Sequence, residues 1–162
     1  MLRSRTITTP IGTLRAIASD KGLRALILDD GDEFRRVRID PGDVAGSDSP
    51  ILDQAMTELR EYFAGDRTQF RLPLDPAGTD FQKTVWSSLS RIPSGSTSSY
   101  AEQAAAIGRP SAVRAVASAN GRNPLAVIVP CHRVIGADGS LTGFAWGLDT
   151  KQWLLRHEGV DI

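Results

Sequence analysis

The chain has 162 residues, 41% of them apolar, which is enough to bury the core of one large domain or two small ones. Its formal net charge is zero. It shows neither an apolar run of about eighteen residues, as a membrane-spanning helix needs, nor the core of a signal peptide, so we expect a cytoplasmic protein. One cysteine and two histidines exclude an internal disulfide, and we expect no metal site.

The first part of the chain predicts a small antiparallel sheet. Residues 5–9 and 13–18 flank a Pro-Ile-Gly turn, and Leu23–Leu28 follows a second turn signal. Residues 29–50 are rich in Asp, Gly, Pro and Ser. We expect a loop there, with one irregular strand near 34–39.

Apolar side chains recur at helical spacing over residues 51–63, which predicts a helix that Gly65 ends. The stretch 66–78 contains two prolines and connects this helix to the second half of the chain. We therefore expect an N-terminal α/β scaffold domain over residues 1–72 and a C-terminal domain over residues 73–162.

The second half predicts four helices. The first has Thr79 or Asp80 as its cap and ends before Pro93. The last runs over residues 150–157, with Asp149 as its cap.

Between them, two short helices over about 98–107 and 111–119 are separated by a Gly-Arg-Pro turn, which is typical of a helix-turn-helix. Helix pairs of this kind are also common as plain packing units. The second of the two carries Arg114 and would be the one presented to DNA. Residues 81–137 hold six basic side chains against Glu102 alone, a net charge of +5, which is a modest footprint for a phosphate-backbone partner.

Cys131 is the candidate reactive group. His132 could take its proton if a carboxylate, for which Glu158 is the candidate, fixed the imidazole tautomer. Adjacent side chains on extended backbone point to opposite sides, so we expect a bridging water between Cys131 and His132. The residues alone leave open that Cys131 is a buried core thiol, that His132 bonds a backbone carbonyl and that Glu158 is solvated.

Several motifs of the second half occur with a defined spacing. They are the stretches 78–86, 92–95, 99–100, 119–124, 128–136 and 151–159, of which Pro130-Cys131-His132-Arg133-Val134-Ile135-Gly136 is the most specific. Together they resemble the O6-alkylguanine-DNA alkyltransferase family over about residues 78–159.

The resemblance implies DNA repair by direct reversal of damage. The alkyl group of O6-alkylguanine, with O4-alkylthymine left open, would pass from a flipped-out base to Cys131, once per molecule and without a cofactor. The partner would be double-stranded DNA that contains alkylated guanine. We expect a monomer with no membrane partner, and cooperative binding along DNA is left open. The implied fold is α/β, with a ribonuclease H-like antiparallel-sheet domain followed by a mostly helical domain with a winged helix-turn-helix.

The resemblance also implies roles for further residues. Tyr100 would donate to guanine N3, and Asn123 would orient the cysteine segment. Arg114 would enter the minor groove and occupy the vacated base stack. Other DNA contacts are expected from Ser99, Ala112, Ala115, Ala117 and Arg122.

The substrate pocket is expected to use backbone groups of a loop. Carbonyls of Cys131 and Val134 would read the exocyclic amine of guanine, and the amide of Ala145 would approach O6. Trp146 stands where many family members carry glycine, and Phe144 replaces the commoner tyrosine. Because a tryptophan at the pocket rim would narrow access or supply a stacking wall, we expect methyl to be removed well and benzyl-sized groups poorly.

Three other functions compete with repair. An alkyltransferase-like lesion sensor lacks the cysteine and usually carries tryptophan there, so Cys131 argues against it. A helix-turn-helix regulator with a reactive thiol explains the basic segment but not the spacing of Tyr100, His132 and Glu158. A cysteine hydrolase would need an oxyanion hole, which nothing in the sequence specifies.

Overall fold

The computed structural model describes residues 1–162, and the first three strands form one antiparallel sheet. Strand β1 (Arg3–Thr9) pairs with β2 (Gly12–Ala18), and β2 pairs with β3 (Leu23–Leu28). Gly12 follows the tight turn with a φ of 113°, a conformation open mainly to glycine. The predicted antiparallel sheet is thereby confirmed.

The segment after the sheet differs from its prediction. Residues 34–39 form no strand; instead α1 (Glu33–Arg36) is a single helical turn. The carboxylate of Glu33 pairs with the Arg36 guanidinium at 2.6 Å, an interaction between residues three apart that favours a helix. Arg38 then has a φ of 58°, which a strand residue does not adopt.

Helix α2 (Pro50–Phe63) forms over the predicted stretch. Ser49 caps it by accepting a hydrogen bond from the Leu52 amide, and Pro50 suits the first turn. Gly65 follows the last turn with a φ of 84°. The buried side chains of α2 pack against the three strands and form the core of this unit.

The chain divides into two units, Met1–Ala77 and Gly78–Ile162. The division falls after Ala77 and not after residue 72, because residues beyond 72 join the sheet. Leu74 forms a parallel bridge with Leu23 at the beginning of β3.

Three helices form the framework of the second unit: α3 (Asp80–Leu89), α4 (Tyr100–Ala106) and α5 (Val113–Gly121). Thr79 and Gln82 begin α3 with a reciprocal capping box, as the sequence predicts for one of its two candidate caps. All three lie within the predicted helical half, so its helical character is confirmed.

Buried polar contacts join these helices. Gln103 on α4 and Asn120 on α5 exchange two amide hydrogen bonds of 2.9 and 2.8 Å. Trp86 on α3 donates its indole N–H to the Ala119 carbonyl at 2.9 Å. Because each buried donor has its acceptor, the contacts fix the orientation of α5 and hence which of its faces is exposed.

The rest of the unit holds β4 (Ser98–Ser99), which pairs in parallel with β5 (Val134–Ile135), and α6 (Leu148–His157). Helix α6 begins earlier than predicted, with Gly147 at its N-cap and a φ of 90°. The expectation that Asp149 caps this helix is therefore wrong, since Asp149 lies inside the first turn. None of the helices has the length and apolar composition needed to cross a membrane.

Candidate active site

Cys131 lies at the end of a buried apolar segment. Residues 125–129 are buried, and Val127 adopts a φ of 76°, which costs a β-branched residue about 1–3 kcal/mol. Cys131 itself is half-buried and begins a 3₁₀ turn, Cys131–Arg133. Because this backbone is a turn and not extended, the expectation that Cys131 and His132 point to opposite sides loses its basis.

The side chain of Asn123 holds the segment that leads to Cys131. Its Nδ2 donates to the Val129 carbonyl at 2.8 Å, and its Oδ1 accepts from the Leu125 amide at 2.9 Å. Asn123 is 1% exposed, so both bonds are shielded from water. This is the geometry that the expected orienting role of Asn123 requires.

His132 and Glu158 form a buried pair. The His132 side chain is fully buried, and its Nε2 lies 2.9 Å from Glu158 Oε2. Burial lowers the pKa of His132, outweighing the opposite effect of the Glu158 carboxylate, so the ring is neutral at neutral pH. An ionised carboxylate only accepts hydrogen bonds, which assigns the ring proton to Nε2 and makes Nδ1 the basic nitrogen.

Arg133 holds the same carboxylate from the other side. Its Nε and Nη2 donate to Glu158 Oε1 and Oε2 at 2.8 and 3.0 Å, and its Nη1 donates to the Ile92 carbonyl at 2.7 Å. Burial raises the pKa of Glu158, but the hydrogen bonds from His132 and Arg133 outweigh it and bring the pKa to about 2. Glu158 is therefore an anion at neutral pH. Arg133 is only 6% exposed, so it does not add to the basic surface counted from the sequence.

The Nδ1 atom of His132 is buried and has no hydrogen-bond partner within the protein. Buried nitrogen atoms in folded proteins nearly always have a partner, so this atom marks a position where a water or a substrate group binds. No direct hydrogen bond joins it to Cys131. A basic nitrogen on the residue that follows a half-buried thiol is the type of base that a cysteine nucleophile needs.

Tyr100 lies at the first position of α4, and its hydroxyl oxygen accepts a hydrogen bond from Thr142 Oγ1 at 3.1 Å. The hydroxyl proton of Tyr100 thus remains available for another acceptor. The carbonyls of Thr142 and Val134 both accept from Lys151 Nζ at 2.6 Å. The Val134 carbonyl, expected to bind the substrate amine, thus accepts a hydrogen bond from Lys151 within the protein.

Trp146 is 7% exposed and packs edge-to-face on Phe144, with ring centroids 6.0 Å apart. Ala145, between the two aromatic residues, is exposed. The indole is thus packed against its own loop. Its burial follows from the apolar ring area that contact with Phe144 removes from water.

The residues expected to contact DNA fall into two groups. Exposed or half-buried on α5 and at its ends are Ala112, Arg114, Ala115, Ala117 and Arg122. Neither Arg114 nor Arg122 forms an ion pair within the protein, so both guanidinium groups are available to phosphates or bases. Ser99 is only 9% exposed, and its hydroxyl caps α4.

The sequence-based prediction missed two residues of this site. One is Lys151, and the other is Arg133, whose role as a partner of Glu158 was not foreseen. Both lie inside the recognised motifs. A signal for Lys151 existed, because Lys151, Leu154 and Glu158 share one face of a helix by their spacing. A basic residue on the apolar face of a helix is a candidate for a buried, paired charge.

The site combines a half-buried thiol, a neutral imidazole and an ionised carboxylate, in a unit that has an exposed basic helix. These groups are typical of the class of proteins with an activated cysteine nucleophile. The chain belongs to the 6-O-methylguanine DNA methyltransferase family. The model of that family's ribonuclease-like domain matches residues 2–76, and the model of its DNA binding domain matches residues 80–160. The family expected from the motifs is confirmed.

Relatives are similar along almost the whole chain. A methylated-DNA–protein-cysteine methyltransferase from Methanosarcina barkeri is 47% identical over 152 residues, 94% of each chain. The protein of that name from Mycobacterium tuberculosis is 47% identical over 161 residues, 98% of this chain and 93% of the relative. The crystal structure of Mycobacterium tuberculosis OGT in complex with DNA has a TM-score of 0.86 at 44% identity, covering 96% of this chain and 92% of that one.

Proposed function

We propose that this protein repairs O6-alkylguanine in double-stranded DNA by irreversible transfer of the alkyl group to Cys131. Membership of the family supports the reaction type. The observation that carries the assignment of Cys131 is the unpartnered Nδ1 of His132, whose other nitrogen bonds Glu158. A thiol with a pKa of about 8.5 is only slightly ionised at neutral pH, so the nucleophile needs such a base.

The reaction proceeds through a thiolate. His132 Nδ1 takes the Cys131 proton through a bridging water, and the Glu158 carboxylate stabilises the imidazolium. The thiolate attacks the alkyl carbon, so that the S–C bond forms as the C–O6 bond breaks and its electron pair passes to guanine. Tyr100 donates a proton to guanine N3 and regains one from His132 through solvent, so guanine leaves neutral. The thioether has no route back, and each molecule acts once.

Base flipping exposes O6, which is out of reach inside the stacked duplex, at a cost of a few kcal/mol. In the proposal, α4, α5 and the β4–β5 pair form the winged helix-turn-helix, and Arg114 enters the minor groove to fill the vacated stack. The exposed, small side chains of Ala115 and Ala117 allow α5 to approach the backbone closely. Ser99 acts indirectly, because its cap holds the first turn of α4, where Tyr100 lies.

The partner in this proposal is duplex DNA that contains alkylated guanine, bound by a monomer and without a cofactor. A lone cysteine that must stay a reduced thiol fits a cytoplasmic location. Activity on O4-alkylthymine is measured with duplexes in which this base replaces the alkylated guanine. Cooperative binding along DNA is measured with duplexes of different lengths.

The test is intact-mass measurement after incubation with a duplex that contains one O6-methylguanine. We expect the wild-type protein to gain one methylene unit on Cys131, and Cys131→Ala to gain none. The matched control is Ser118→Ala, on the exposed face of α5, which should react fully. Asn120→Asp would not serve as a control, because Asn120 is buried. Tight binding of the lesion with no change in mass would contradict repair and support a lesion sensor.

A further inference from the structure

Thr142 donates its hydroxyl proton to the phenol oxygen of Tyr100 at 3.1 Å, and both residues are half-buried. Each hydroxyl group carries one proton, and only one proton can lie between the two oxygens. Because the Thr142 proton occupies this position, the Tyr100 proton points elsewhere. The contact therefore determines which partner the phenol can donate to.

The backbone of Thr142 is held by a buried side chain. Its carbonyl accepts a hydrogen bond from Lys151 Nζ at 2.6 Å, and the same ammonium donates to the Val134 carbonyl on β5 at 2.6 Å. Lys151 is fully buried, so water does not compete for these bonds. Lys151 thus joins Thr142 to β5.

Tyr100 is held by a different set of contacts. Strand β4, which ends at Ser99, pairs in parallel with β5, and Ser99 caps α4 by accepting a hydrogen bond from the Glu102 amide at 3.1 Å. Tyr100 is the first residue of that helix. Thr142 and Tyr100 are therefore both anchored to β5, the first through Lys151 and the second through β4. The hydroxyl pair closes this ring of contacts, so its geometry is set before a substrate binds.

We infer that Thr142 is a positioning residue for alkyl transfer, whose hydroxyl directs the Tyr100 proton to guanine N3. The inference rests on the proposed function, in which that proton passes to the leaving guanine. As the proton leaves, negative charge develops on the phenol oxygen, and the hydrogen bond from Thr142 stabilises this charge. Thr142 keeps its own proton, and Tyr100 regains one from His132 through solvent, as in the proposed reaction.

Single-turnover methyl transfer from duplex DNA tests the role of the Thr142 hydroxyl. Thr142→Val removes the hydroxyl but keeps the branched shape, and should slow transfer about 10- to 100-fold, the effect of losing one hydrogen bond to a charged group. Thr142→Ser keeps the donor and should react at nearly the wild-type rate. The matched control Thr8→Val, at an exposed position of β1 in the other unit, should leave the rate unchanged.

A double-mutant cycle with Tyr100→Phe tests whether Thr142 acts through the phenol. In the Tyr100→Phe background, Thr142→Val should change the rate less than about twofold, because the oxygen that Thr142 bonds is absent. Alkylation of Cys131 by iodoacetamide needs no proton donor and should be equally fast in the wild type and in Thr142→Val. The inference is overturned by full additivity of the two substitutions, by a wild-type rate of methyl transfer in Thr142→Val, or by an equal loss in the iodoacetamide reaction.

A measurement on the free protein separates this inference from the proposed function. The chain has two tyrosines, and the NMR signal of each ring Cζ carbon reports the hydrogen bonds of its hydroxyl. Thr142→Val should move the Tyr100 signal and leave that of the buried Tyr62 in place, and Thr142→Ser should keep both at their wild-type positions. An unmoved Tyr100 signal in Thr142→Val would overturn the inference. If the wild-type protein takes no methyl group from O6-methylguanine, the proposed function fails, and the NMR signals still decide whether Thr142 holds the phenol.

Discussion

Acid should destabilise this protein through one carboxylate in particular. The folded-state pKa of Glu158 is about 2, against an ordinary value of 4.5, so the unfolded chain binds this proton more tightly. The stability that Glu158 contributes is therefore fully present above pH 4.5 and is lost as the pH falls toward 2. One pKa unit corresponds to about 1.4 kcal/mol, which makes the full loss roughly 3 kcal/mol.

His132 adds a second window of acid sensitivity. Its pKa is lowered by burial from the ordinary value of 6.5, so the folded ring stays neutral while the unfolded ring takes up a proton below pH 6.5. Stability then falls as the pH drops through 6.5 toward the folded-state pKa. The free energy of unfolding should thus decline in two stages, the first from His132 and the second from Glu158.

Glu158→Gln separates the two stages. The amide cannot ionise, so the decline between pH 4.5 and 2 should be shallower by roughly 3 kcal/mol than in the wild type. At pH 7 the variant leaves Arg133 buried without its opposite charge, at a cost of about 3–5 kcal/mol. The double variant with Arg133→Met should recover part of that stability.

Urea unfolding followed by tryptophan fluorescence, at pH steps from 8 to 2, measures these free energies. Glu61→Gln is the control, because the Glu61 side chain is 42% exposed in its ion pair with Arg67 and the substitution should change the curve little. If Glu158→Gln, alone or with Arg133→Met, declines as steeply as the wild type below pH 4.5, the assignment of the acid transition to Glu158 is wrong.

Three further predictions concern the reaction. Tyr100→Phe removes the proton donor to guanine N3 and should slow single-turnover methyl transfer about 10²- to 10⁴-fold without changing DNA affinity. Mass analysis of quenched time points measures the rate and a gel shift measures the affinity, and an unchanged rate would show that Tyr100 has no part in the mechanism. Arg114→Ala should slow repair of duplex DNA but leave reaction with free O6-methylguanine base unchanged, and an equal loss on both substrates would contradict its role in base flipping. The wild-type protein should react poorly with O6-benzylguanine, and Trp146→Gly should raise the ratio of the benzyl-transfer rate to the methyl-transfer rate. The same substitution should lower the free energy of unfolding by about 3–5 kcal/mol. Comparable wild-type rates on the methyl and benzyl substrates would refute the idea that Trp146 limits the size of the alkyl group.

Elements fixed by local interactions could be predicted from the sequence. Helices α2 and α3 begin directly after Ser49 and Thr79 because each of these side chains caps an amide three residues later. The prediction of a strand near 34–39 was wrong, because this segment is determined by features that the apolar pattern does not record. An ion pair between Glu33 and Arg36 and a left-handed residue after it decide that segment, and neither leaves a trace in the alternation of apolar residues.

The protonation states of the site could not be predicted in this way, because they depend on burial and on partners distant in sequence. Arg133 counts as one more basic residue until Glu158, 25 residues along the chain, is seen to accept two of its three hydrogen bonds. That pairing keeps Glu158 ionised, and an ionised Glu158 assigns the ring proton of His132 to Nε2. Only then does Nδ1 become the base for Cys131. The motif supplies the residue types of a nucleophilic site, whereas the fold decides which charges are neutralised and therefore which atom can accept the proton.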